Sequence, residues 1–275
     1  MPAVPKSEER KFWKSLCKVF QKLIDDTKKG NGLQNGVEPY REFVESKPVS
    51  GFIDRIIAKM TNVMRVRSAR SWREAATKGT NGRKINKLIS NEMQGPVGDR
   101  VRELVAENAQ YIKTLPEEWA KYATNYAMRQ AMDGKRPEEV EAEMRKVIPE
   151  HMQKNLKTIA RTECAKANAA IVQARAEMCG IKAYIWRCVK DERSRNSHVH
   201  MDGVLVFYAD PPSPEALVGE KAYGNYHAGN TFNCRCYQEP VVDYSFLPDV
   251  VTVYRDGRIY TTTKHALIDK YGMIA

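Results

Sequence analysis

The chain lacks any apolar run approaching the roughly 18 residues of a membrane span, so no membrane partner is expected. Its first ten residues, Met-Pro-Ala-Val-Pro-Lys-Ser-Glu-Glu-Arg, hold no apolar stretch of the export-signal kind. Synthesis and folding in the cytosol are therefore expected. In that compartment the six cysteines, at 17, 164, 179, 188, 234 and 236, stay reduced, which excludes a disulfide framework. Gly-rich phosphate loops, a nucleophile elbow and His-Glu-x-x-His are all missing, so the sequence argues no active site of a common hydrolase or nucleotide-binding type. Acid is short too. Asp and Glu number 34 against 45 Lys and Arg, a net charge of +11, which favours polyanions and above all nucleic acid.

The 275 residues, 42% hydrophobic and 29% charged, have a globular composition and suffice for one large domain or two ordinary ones. The basic surplus is local. Between Gly51 and Lys87, ten Lys and Arg stand against only Asp54 and Glu74. On a helix Arg55 and Lys59 share a face at i, i+4, and Arg70 and Arg73 at i, i+3. With Arg65 and Arg67 they are the candidates for neutralising phosphates of double-stranded DNA without reading bases. A solvated helix exterior would carry the same pattern.

The first 180 residues read as successive helices. Residues 8–29 place Phe12, Leu16, Val19, Phe20, Leu23 and Ile24 at helical spacing, and Gly30 is a stop. Residues 31–36 read as a loop. Ser50 is expected to cap a helix reaching Gly79. Further helices are expected over 83–94, 99–113, 116–132, 137–147 and 149–178, with Pro116 and Pro137 in first turns. The grammar then changes. Residues 182–190, 203–208 and 235–242 read as strands, and Asp256-Gly257 as the turn of a hairpin over 251–263. Residues 264–271 read as a short helix. The proline- and glycine-rich stretch 209–230 is too long for an idle loop. The fold class is α+β: a helical N-terminal part, then a small loop-rich lobe of short antiparallel strands.

His198, His200, His227, Cys234 and Cys236 share one window, and zinc accepts such a mixture of imidazole and thiolate. Cys-x-Cys is not the usual knuckle. In an extended strand its Cα atoms stand roughly 6.5–7 Å apart, so chelation needs a local bend. Without metal, Cys234 and Cys236 would be half-buried cysteines beside a polar loop; the other four read as small buried hydrophobes. Residues 191–200 pack Asp191, Arg193, Arg195 and His198 together. That set reads either as a catalytic turn acting on a phosphodiester, with His198 as general base, or as a solvated turn of paired ions. Arg161 and Glu163, at i, i+2 in an alanine-rich helix, must find different partners. They read as polar anchors between that helix and the lobe.

These motifs, in their order, resemble the head-morphogenesis proteins of tailed bacteriophages related to the phage Mu F protein. Glu107-Asn-Ala-Gln-Tyr-Ile-Lys-Thr-Leu-Pro116, Ile159-Ala-Arg-Thr-Glu163, then Trp186, Asp191-Glu-Arg-Ser-Arg195, His198 and Gly203, and finally Asn233-Cys-Arg-Cys236, follow the family's sequence over about 107–240. The resemblance implies a minor head protein in the capsid interior, made in the host cytoplasm, with portal protein, capsid or scaffold proteins and packaged DNA as partners. It implies no catalysis. It divides the chain into a helical region 1–106, the Mu F-like module 107–242, and a closing hairpin and helix 243–275. Many relatives carry Cys-x-x-Cys where this chain has Arg195-Asn-Ser-His198, and His-Pro-Asn-Cys where it has Thr231-Phe-Asn-Cys234. His198, Cys234 and Cys236 thus match presumed zinc ligands, whereas Arg195 and Thr231 do not. His227 or His200 is left to fill the fourth place, outside the family pattern, and we favour His227 in a structural zinc clip. A small nuclease using Arg193, Arg195 and His198, and a non-specific DNA-binding protein, are the alternatives.

Overall fold

The computed structural model describes residues 3–32, 36–79 and 82–271. Among them the order is α1 (Lys6–Lys28), α2 (Glu38–Glu45), α3 (Lys47–Ala76), α4 (Gly82–Ser90), α5 (Pro96–Met132), α6 (Pro137–Cys179), β1 (Ala183–Arg187), α7 (Asn196–His200), β2 (Leu205–Phe207), α8 (Pro214–Leu217), β3 (Tyr237–Pro240), β4 (Val250–Arg255), β5 (Arg258–Thr263) and α9 (Lys264–Tyr271). The α+β class stands. Residues 33–35 of the expected loop lie outside the described residues.

Several boundaries differ from the sequence reading, the expected 83–94 helix ending at Ser90 among them. Ser50 is not a cap: α3 starts at Lys47, with Pro48 in the first turn, where its missing N–H costs nothing. Pro116 lies inside a continuous α5 and Pro149 inside a continuous α6, rather than between helices. An interior proline removes one hydrogen bond and costs about 3 kcal/mol. Burial of Ile112, Leu115 and Trp119 around the first, and of Ile148 and Met152 around the second, holds each helix through its proline.

The chain divides into two compact units. One comprises Lys6–Met60 and Glu103–Arg161. Here the stripe predicted on α1 is buried throughout, and Phe20 meets Trp119 edge-on at 4.9 Å. Trp119 Nε1 donates to Asn155 Oδ1 at 3.0 Å, which satisfies the indole inside the core.

The other unit comprises Met1–Pro5, Thr61–Arg102 and Thr162–Ala275. Its sheet has the order β3-β1-β2-β4-β5. It is mixed, because β2 and β4 run parallel while the other pairs are antiparallel. The hairpin is as expected: Arg255 pairs with Arg258, and Asp256 and Gly257 take φ of 47° and 79°, which a two-residue turn of this hand requires. Alternation along the strands sends Ala183, Leu205, Phe207, Val251 and Val253 to one face with Leu267 of α9. Tyr184, Trp186, Val206 and Tyr254 go to the other, where Met201, Tyr226, Cys234 and Cys236 cover them. That second face carries the site.

Candidate metal centre

The site is built from loops laid on the second face of the sheet. Trp186, fully buried on β1, meets the His198 ring edge-on at 5.8 Å and sets its plane. His198 sits on α7 and is 3% exposed; Cys234 and Cys236, just before β3, are 3% and 6% exposed. Their ligand atoms lie within 4.8 Å of one another. His198 Nδ1 is 3.6 Å from Cys234 Sγ and 3.4 Å from Cys236 Sγ. The bend that Cys-x-Cys needs is present. Asn233 takes φ of 53°, and the Cys236 N–H folds back to donate to Cys234 Sγ at 3.3 Å.

The other edge of the His198 ring is held from the 209–230 stretch. Tyr226 hydroxyl lies 3.0 Å from Nε2 and donates to Glu215 Oε1 at 2.5 Å, with both residues buried. Burial, and then Glu215, push the Tyr226 phenol upward, so it remains a hydrogen-bonding hydroxyl. The backbone of this stretch lies against α6 because both sides are small. At Gly229, with φ of 86°, an added Cβ would meet the Cys236 carbonyl at 3.0 Å and Ala169 Cβ at 3.3 Å. Thr162 Oγ1 on α6 accepts the Asn233 N–H at 2.9 Å.

Cys188 is the residue that sequence reasoning missed. Placed among the inert hydrophobes, it lines the same cavity of about 50 Å³ as His198, Cys234 and Cys236. A hydrogen bond from Cys236, ahead of opposing burial, draws its thiol down to about 6. Hydrogen bonding with Cys188 and Cys234, then burial, pushes Cys236 up, whereas Cys236, ahead of opposing burial, draws Cys234 well down. Glu215 and Tyr226 were equally hidden; the only signal was the length of their loop.

Of the remaining candidates, His227 and His200 stand outside the thiol–imidazole group. His227 is buried beside Tyr184 and Tyr208, its Nδ1 3.2 Å from the Tyr184 hydroxyl and its other N–H on the Tyr208 backbone. Its Nδ1 is occupied away from the thiols. His200 is exposed. Asp191 is gripped by both guanidinium nitrogens of Arg235, which hold its carboxyl well below the usual range. Arg193 is exposed, while Arg195 stacks on Phe232 at 4.3 Å and donates to its carbonyl at 3.0 Å. Arg193, Arg195 and His198 line the same small cavity, with Arg195 Nη1 3.5 Å from His198 Nε2. Arg161 bonds Glu9 at 3.4 Å, and Glu163 pairs with Lys166 at 3.6 Å. On α3, Arg55, Lys59, Arg67, Arg70 and Arg73 are exposed, but Arg65 is half-buried and bonds Glu92 at 2.9 Å.

Two thiols and an imidazole nitrogen, buried and facing one another, fit a borderline-soft divalent ion. A partner on the outer nitrogen of the imidazole is what such a ligand ordinarily has. Fold and site together define a helical protein with a small mixed-sheet lobe organised around a thiol–imidazole cluster. Residues 121–239 match the family described as Phage Mu protein F like protein, and this segment is similar to that family. That likeness suggests a phage head protein. An uncharacterized protein of Haemophilus influenzae (strain ATCC 51907 / DSM 11121 / KW20 / Rd) is 35% identical over 147 residues, 54% of this chain and 30% of that one. The chain thus spans under a third of that relative's length. No solved structure matches. No described helix is long and apolar enough to cross a membrane.

Proposed function

We propose that this chain is a minor head protein acting in head assembly, whose lobe is clipped by one zinc ion on His198, Cys234 and Cys236. The observation that carries the reading is the buried convergence of those three residues inside the segment that matches the Mu F-like family. The cavity of about 50 Å³ has room for an ion and is far below the roughly 300 Å³ at which organic-ligand pockets begin. A structural role follows, because the bound ion would tie α7 to the entry of β3 and remove chain entropy from the unfolded state.

The partners of this role are the portal, the capsid or scaffold proteins, and packaged DNA, with the chain in the head interior. Exposed Arg55, Lys59, Arg67, Arg70 and Arg73 supply the DNA-facing charge. Gradient fractionation of a lysate of the producing phage tests the main claim: the chain should travel with heads, and its absence from them would overturn the reading. DNA contact is tested by salt. Replacing Arg67, Arg70 and Arg73 by Gln should reduce the slope of log K against log salt by about 3 if each neutralises one phosphate. An unchanged slope removes this face as the DNA contact.

A further inference from the structure

We infer that Cys188 is the fourth protein ligand of the site, so that three thiols and one imidazole enclose the ion. This rests on the zinc reading above and changes what kind of site it is. Three protein ligands with water in the fourth place make an open, catalytic type of centre, whereas four make a closed, structural one.

Four features of the site carry the inference. Cys188 lines the same small cavity as His198, Cys234 and Cys236. Its thiol is close enough to that of Cys236 to interact with it, and Cys236 is likewise a neighbour of Cys234. The backbone treats Cys188 and Cys234 alike. The Lys190 N–H donates to Cys188 as the Cys236 N–H donates to Cys234 Sγ, in each case from two residues on. An amide aimed at sulfur stabilises thiolate over thiol, which is the form a metal takes. Both turns contain a non-glycine residue in the left-handed region, Lys190 at φ 54° and Asn233 at φ 53°. Strain of this kind persists only where the surroundings fix it.

The competitors for the fourth place are otherwise engaged. His227 has its Nδ1 at the Tyr184 hydroxyl, His200 is exposed, and Asp191 is held by Arg235. Cys188 immediately follows β1, and Cys236 immediately precedes β3, the strand paired with it. Ligation by Cys188 would therefore pin the ends of two neighbouring strands and α7 to one point.

Zinc-edge X-ray absorption on the zinc-loaded full chain tests this without a variant. The expected shell is three sulfurs at about 2.3 Å and one nitrogen at about 2.0–2.1 Å. Two sulfurs with two lighter atoms would overturn the role of Cys188 while leaving the zinc reading intact. A chain that takes up no zinc at all would overturn the zinc reading itself, and this inference with it. Cys188→Ser should weaken zinc binding by more than about 100-fold, since losing even an outer partner costs about 10–100-fold; a change under tenfold overturns the assignment. Should that variant not fold, alkylation mapping of the unmodified chain serves. Zinc should shield Cys188 but not Cys17, and chelator should expose it; alkylation of Cys188 at equal rates with and without zinc overturns the assignment.

Discussion

The Tyr226 hydroxyl stands 3.0 Å from Nε2 of His198, on the opposite edge of the ring from the thiols. Its own proton goes to Glu215 at 2.5 Å, so its oxygen accepts from His198. That places the ring proton on Nε2 and turns the Nδ1 lone pair toward Cys234 and Cys236. Arg195 Nη1, a donor, would favour the other tautomer but is farther away at 3.5 Å. Tyr226→Phe should therefore weaken zinc binding about 10–100-fold without changing the saturating stoichiometry. Competition with a chromophoric chelator reads this directly. Unchanged affinity would mean that packing against Trp186 alone orients the ring.

Arg235 lies between the two cysteines and grips Asp191, which heads the turn leading to His198. The pair ties the two ligand segments together. Asp191→Asn and Arg235→Gln should each lower the urea midpoint at pH 7, and the double variant should lose less than the two losses combined. Because Arg235 holds the Asp191 carboxyl down, the stabilisation is complete above the ordinary carboxylate range near 3.9 and fades as pH falls below it. Strict additivity of the two substitutions would show that the pair does not link the segments.

The elements with strong periodicity or turn chemistry were legible in the sequence. The buried stripe of α1, the Asp256-Gly257 hairpin and α9 all come from local pattern. Pro116 and Pro149 misled because a proline's local cost is visible in sequence and the burial that outweighs it is not. The parallel β2–β4 pairing depends on contacts far apart in the chain, and no local signal encodes it. At the site, His198, Cys234 and Cys236 stood out by residue type. Cys188, Glu215 and Tyr226 are ordinary residues in sequence, and only the folded loop turns them toward the imidazole and the thiols.

Glu92 and Arg175 form a buried ion pair at 2.8 Å, and each is no more than 1% exposed. Arg175 also donates to Ser68 Oγ at 2.5 Å, and Arg65 reaches the other Glu92 oxygen at 2.9 Å. Removing one partner leaves a guanidinium without its counter-charge. Glu92→Gln should cost about 3–5 kcal/mol of unfolding free energy, read from denaturant curves. Replacing both, as Glu92→Leu with Arg175→Met, should recover much of that loss, because an apolar pair needs no counter-charge. A loss of less than about 1 kcal/mol in the single variant would mean that water or Ser68 compensates the charge.

His227 is a further pH-sensitive group of the lobe outside the thiol cluster. Burial among Tyr184 and Tyr208 depresses it to about 4. Its network is closed while neutral: Tyr184 donates to Nδ1 and accepts the Ala228 N–H, and the remaining ring N–H goes to the Tyr208 backbone. A second ring proton would displace the Tyr184 donor. The unfolded chain titrates near 6.5, so between about 6.5 and 4 the unfolded state binds more protons than the folded one. Stability therefore falls as pH falls through that window, by roughly 3 kcal/mol in all for a single group shifted this far. His227→Gln keeps an acceptor for Tyr184 and a donor for Tyr208 but cannot be protonated. Its stability should accordingly lose less between pH 7 and pH 4.5 than that of the parent chain. Both curves should be measured in excess chelator, which removes acid-driven loss of zinc from the comparison. Parallel curves for the two proteins would mean that His227 does not control the acid sensitivity of the lobe.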